Sequence, residues 1–162
     1  MDYYQGVVVE YLRAKRSRFV NTECLIQLTP GNTPERGTHW FCDAVAVDLS
    51  EPAVFLCEIS YARGLASLLK RLAAWRANWA ALRGALTRDC AVPEKWIVQP
   101  WLFVPDGEIK PLEKRLGAYA ASPDGMPAPR ITPLQDVAPW NYRSWNGMEY
   151  EDVERMKSLD AK

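Results

Sequence analysis

Histidine occurs once in 162 residues, at His39, and no two cysteines form a CxxC pair. A structural zinc site draws closely spaced Cys and His ligands, so this chain lacks the letters for one. The four cysteines, Cys24, Cys42, Cys57 and Cys90, are far apart, and three lie in apolar runs. They read as buried reduced thiols of a cytoplasmic protein rather than a disulfide framework. Net charge is missing too, because twenty basic residues balance twenty acidic ones. No overall field draws the chain to nucleic acid or an anionic membrane, so such a partner must be held by a local patch. No apolar run approaches the ~18 residues of a membrane span. The N-terminal MDYYQGVVVEYLRAK does not have the basic-then-apolar layout of a secretory signal.

What is present suits one soluble α/β domain. A chain of this length buries roughly 70% of its unfolded surface without help from disulfides or metal. Residues 2–17 are expected to form a helix with Val8, Tyr11 and Leu12 as its apolar stripe. The β-branched run Val7-Val8-Val9 keeps a strand as the alternative. Glu23–Leu28 reads as a short strand and 31–37 as an exposed loop. Thr38–Leu49 and Ala53–Ser60 read as two strands, apolar on both faces and therefore covered on both sides. Over 62–86 leucines and tryptophans from Leu65 to Leu82 recur at three- and four-residue steps, which predicts one long helix. Lys95–Val104 is a further strand, with Pro100 pointing to an edge or a bulge. Ile109–Tyr119 suggests a short helix.

From Ala121 the chain is rich in proline and tryptophan, so residues 1–120 are taken as the core. Residues 121–162 are taken as an extended arm packed on the same domain, with a polar helix over 148–158. Trp140, Tyr142 and Trp145, with Arg143, either clamp the arm to the domain or stack on bases. The arm is also the candidate surface for a protein partner or a second copy.

Two acids inside apolar strands carry the strongest chemical signal. A turn centred on Ser50-Glu51 pairs residues whose numbers add to 101, which sets Asp43 directly opposite Glu58. Like charges among Phe41, Val45, Val54 and Leu56 repel and resist desolvation, so something must offset them. A divalent cation does this, and Mg²⁺ is content with one or two carboxylates plus water and phosphate. The alternative is an arginine from the long helix, or a solvated strand edge.

Asp43, fourteen intervening residues, then Glu58-Ile59-Ser60 resembles the signature of the PD-(D/E)XK nuclease superfamily, with Ser60 where that family carries lysine. The resemblance covers residues 2 to about 104. It implies a restriction-endonuclease-like fold: an αβββαβ core whose mixed sheet is flanked by helices. By the same resemblance Asp43, Glu58 and the Ile59 carbonyl would hold Mg²⁺ or Mn²⁺, and Glu10 would complete an acidic cluster on the first helix. Lys70 is the candidate for a relocated lysine. The implied activity is hydrolysis of DNA phosphodiester bonds by a metal-activated water. The rival reading is a nuclease-fold module that binds nucleic acid or protein without cutting. Arg63, Arg76, Arg83 and Arg88 are candidate phosphate contacts. The lone His39 and the strand-ending Asp48 are read as structural.

Overall fold

Asp2 begins the first helix by accepting the Gln5 backbone N–H (2.8 Å), while the Gln5 side-chain oxygen accepts the Asp2 N–H (2.9 Å). This reciprocal capping box satisfies two of the donors that a helix start leaves free. Helix α1 then runs over Tyr3–Arg13 and buries Val8, Val9 and Leu12. The computed structural model describes residues 2–117 and 125–142 of the chain.

Three antiparallel strands follow, β1 (Arg18–Gln27), β2 (His39–Asp48) and β3 (Ala53–Ile59). Helices α2 (Ala66–Ala77) and α3 (Trp79–Cys90) lead to β4 (Ile97–Val104), parallel to β3. Helix α4 (Asp106–Gly117) precedes β5 (Arg130–Pro133), parallel to β4. The strands lie in the order β1-β2-β3-β4-β5, a mixed five-stranded sheet flanked by helices. The α/β class and the αβββαβ order are those expected from the sequence. On one face α2 and α3 supply Leu68, Leu72, Trp75, Trp79 and Leu82 against Ile26, Val54, Leu56 and Leu102. On the other, Val8, Val9 and Leu12 of α1 meet Ala44, Ala46, Phe55, Trp101 and Phe103. Among the described residues no helix is long and apolar enough to cross a membrane.

Several expectations need correcting, each for a physical reason. Strand β1 begins at Arg18, earlier than Glu23, because Arg18, Val20 and Thr22 are half-buried while Phe19, Asn21 and Glu23 are exposed. That is strand periodicity. The single helix expected over 62–86 is two. Asn78 leaves helical geometry (φ −119°, ψ 20°) and its side-chain amide donates to the Ala74 carbonyl, so it competes with the helix backbone. Strand β4 is not an edge, since it lies between β3 and β5. Its pairing with β5 starts only at Trp101, however, so Pro100 has a strand on one side alone and interrupts no second ladder.

The arm contributes to the sheet rather than merely lying on it. Arg130–Pro133 is the fifth strand, and Thr132 Oγ1 accepts the buried Trp101 indole N–H at 2.9 Å. Further on, Tyr142 meets Tyr11 of α1 edge-on at 5.3 Å, a clamp, and Trp140 is exposed. Arg143, Trp145 and the helix expected over 148–158 lie outside the described residues. Cys24, Cys42 and Cys57 are buried free thiols as expected, whereas Cys90, at the end of α3, is exposed.

Candidate active site

The β2–β3 turn fixes what faces what. Asp48 ends β2 fully buried, and one of its oxygens accepts the Ser50 backbone N–H (3.0 Å) and the Ser50 hydroxyl (2.8 Å). Its other oxygen takes Lys15 (2.8 Å) and Arg18 (2.9 Å). Burial pushes this carboxyl up, but the hydrogen bonds from Lys15, Ser50, Arg18 and Ser17 together hold it far below the usual range. Asp48 thus staples the turn, and the resulting register runs from Asp48↔Ala53 to Ala44↔Cys57. The recorded ladder stops there, one step short of Asp43 and Glu58, which that register continued would set opposite each other.

At that pair β2 changes face. Cys42 and Val45 both pack with α2 and α3, whereas Ala44 and Ala46 pack with α1, so the period-two alternation breaks at Asp43. Opposite it on β1, Glu23 is left-handed (φ 51°), and the ladder passes from Thr22↔Ala44 to Cys24↔Cys42 without that pair. A non-glycine residue there costs on the order of 1–2 kcal/mol. Such irregularities re-aim side chains. Here the Asp43 carboxylate turns to the end of β3, where one oxygen accepts the Ile59 backbone N–H at 2.8 Å. Its other oxygen accepts the Gln5 side-chain amide at 3.0 Å. Burial raises the Asp43 pKa, with the Ile59 N–H, Arg71 and Gln5 opposing.

Glu58 is 4% exposed. One carboxylate oxygen lies 2.6 Å from Nη1 of Arg71 on α2, and the same nitrogen donates to the Phe41 carbonyl at 3.0 Å. The other oxygen, Oε1, is buried with no well-formed hydrogen bond, and the Cys42 thiol is the remaining polar neighbour of this carboxyl. Burial first and Asp43 second push Glu58 up to about 7, against the pull of Arg71. The two acids and Arg71 share a cavity of about 170 Å³ whose wall includes Ile59, Ser60, Ser67 and Leu68.

The structure therefore brings Asp43, Glu58 and Ile59 together and leaves other candidates apart. Glu10 is exposed and pairs with Arg13 at 3.3 Å; it lies five residues beyond Gln5, about 140° further round α1. Lys70 is exposed and absent from the cavity wall, and its neighbour Arg71 occupies that place. Arg63 and Arg76 are exposed. Arg83 donates to the carbonyls of Glu94 and Trp96, and Arg88 to those of Gln27, Leu28 and Thr29, so both serve the backbone. His39 lies against the Glu35 carbonyl and the Phe41 ring. Sequence reasoning missed Gln5, but the arginine of the long helix named as the alternative partner of the acids is present as Arg71. The wheel of α2 held a signal for its position, because Arg71 is three residues from buried Leu68 and shares its side.

The residues present fit a divalent cation in part. Their donors are hard oxygens, and the unpartnered Oε1 of Glu58 is a buried acceptor in want of a positive group. Among the described residues no cluster of three or more His, Cys, Asp or Glu is placed to hold a metal, so two carboxylates are the whole acidic set.

No family model matches the chain, and no curated protein does. Among solved structures it is similar to an XisH family protein from Nostoc punctiforme, at 16% identity and a TM-score of 0.48. That match covers 85% of this chain and 95% of the other.

Proposed function

We propose that the protein is a metal-dependent nuclease acting on DNA phosphodiester bonds, with Asp43 and Glu58 holding Mg²⁺ or Mn²⁺. The observation that carries this reading is the convergence of both acids on one cavity, with Glu58 Oε1 buried and unpartnered. Bound there, the ion supplies a lowered pKa for water and charge stabilisation at the scissile phosphate.

The protein's own residues do the rest. Gln5 and the Ile59 N–H fix both oxygens of Asp43. Arg71, anchored on Glu58 and the Phe41 carbonyl, brings a permanent positive charge to the cavity where Ser60 brings none. A guanidinium is suited to binding phosphate but not to taking a proton at neutral pH. The Ser60 and Ser67 hydroxyls add donors, and Leu68 makes one wall apolar.

A second reading is favoured by the same ion pair. Arg71 already offsets Glu58 without any metal, which suits a nuclease-fold module that binds without cutting. The two are separated by incubating the full chain with DNA and Mg²⁺ or Mn²⁺ beside Asp43→Asn and Glu58→Gln. Cleavage abolished by chelator and by both substitutions supports the enzyme. Cleavage that survives either treatment overturns it, and no cleavage together with no saturable Mn²⁺ binding by calorimetry selects the module.

A further inference from the structure

Two tyrosines adjoin, along the chain, residues that build or brace the acid cavity, and they come together in space. Tyr4 precedes Gln5, which donates to Asp43, and Tyr61 follows Ser60 in the cavity wall. Their rings lie against each other, with centroids 4.7 Å apart and planes tilted 32°. Tyr3 adds an edge-on ring at 5.5 Å from Tyr4. None of the three belongs to either core, and they are 78%, 42% and 54% exposed for Tyr3, Tyr4 and Tyr61. The Tyr4–Tyr61 contact joins α1 to the segment after β3, and rings this exposed also offer π-faces to a ligand.

Chemistry limits the occupant. In duplex DNA the base faces are stacked on one another and cannot meet a protein ring, whereas a single strand presents them. The charge balance argues the same way. The chain is neutral overall, so a ligand held chiefly through phosphates has little to hold it. The cations placed closest by chain position or cavity are exposed Arg63, two residues beyond Tyr61, and Arg71 in the cavity wall. Stacking supplies affinity that charge does not.

We propose that the DNA taken by this site is single-stranded, with a base stacked on the Tyr4–Tyr61 pair and its phosphate at the Arg71 cavity. This rests on the nuclease reading for the identity of the ligand, but the stacking requires no cleavage. Arg71 meets the phosphate while Asp43 and Glu58 face the same space.

The test is fluorescence anisotropy of the full chain in chelator, which prevents cleavage, with a labelled mixed-sequence single strand and a hairpin duplex of equal length. The single strand should bind at least tenfold more tightly, with a shallow salt dependence. Tyr61→Ala should weaken it by about tenfold or more, and Tyr61→Phe, which keeps the ring, by less than twofold. Unchanged melting curves for both variants exclude misfolding, and Tyr4→Ala is the second variant if Tyr61→Ala fails that check. Equal or tighter duplex binding overturns the proposal, as does wild-type affinity in Tyr61→Ala or no binding to either oligonucleotide, the result expected if the rings meet a protein. Ring-dependent single-strand binding without cleavage in Mg²⁺ upholds the platform and defeats the nuclease reading. Chelator-sensitive cleavage of duplex unaffected by Tyr61→Ala does the reverse.

Discussion

Replacing Glu58 by glutamine should remove a pH-dependent penalty from folding. The carboxyl is buried, faces Asp43, and is pushed from an ordinary 4.5 to about 7. In the unfolded chain it ionises near 4.5, so between these values the native state binds the extra proton. Stability from this group is therefore complete below pH 4.5 and is lost as pH rises through 7. At about 1.4 kcal/mol per pH unit the loss comes to about 3 kcal/mol, a large part of the 5–15 kcal/mol typical of a domain. Asp43, also raised by burial, acts in the same direction. Asp48, held low, acts oppositely, but only in acid below its ordinary value of 3.8. Urea unfolding followed by tryptophan fluorescence at pH 4.5, 6, 7 and 8 reads this directly. Wild type should lose about 3 kcal/mol more than Glu58→Gln across that range. Added Mg²⁺, which needs the ionised carboxylate, should stabilise wild type at pH 8 and have little effect at pH 4.5. Parallel profiles for the two proteins would refute the reasoning, because they would mean that Glu58 ionises normally in the fold.

Three other outcomes follow from the same contacts. Arg71→Met keeps an unbranched stem but leaves Glu58 unpaired, and should cost about 3 kcal/mol at pH 8. At pH 5, where Glu58 is protonated, the cost should be only about 1 kcal/mol by the same unfolding assay. Asp48→Ala deletes the acceptor of Lys15, Arg18 and Ser50 and should destabilise by about 3 kcal/mol; a change under 1 kcal/mol would show that the turn stands without it. Cys90, lowered by the neighbouring Cys24 thiol, is the exposed thiol and should alkylate first at pH 7.5. One iodoacetamide adduct on the native protein, mapped to Cys90, is the expected mass-spectrometric result, and rapid labelling of fully buried Cys42 or Cys57 would contradict it.

The sheet's central feature was legible because hairpin register is arithmetic once the turn is known. Four residues between Asp48 and Ala53 set a register that runs to Ala44↔Cys57, next to both acids, and the acids stood out against apolar neighbours. The counter-cation was foreseen by type, as an arginine of the long helix, but not by position. Lys70 matches the missing lysine by type, but side-chain direction on a helix is set by the buried stripe, which brings Arg71 inward. The Asp-x-x-Gln pattern at 2–5 announces a helix start, yet the reach of Gln5 to Asp43 is a tertiary fact with no local signature. The face change at Glu23 and Asp43 was hidden for a similar reason: a glutamate carries no preference for the left-handed region. Arg130–Pro133 is too short for any periodicity to show, and the sheet finds it through pairing with β4.

The exposed loop Leu49–Pro52 works as a spacer with a reading frame. Loop tips of this kind ordinarily accept extra residues. Here a one-residue insertion that carried β3 along would swing Glu58 toward α1 and put Cys57 in its stead, whereas two residues would restore the original facing. Substitution at Leu49 or Glu51 leaves that count intact. Related chains that keep the acid pair should thus differ in this loop by even numbers of residues, a parity rule written by the pleat of the sheet.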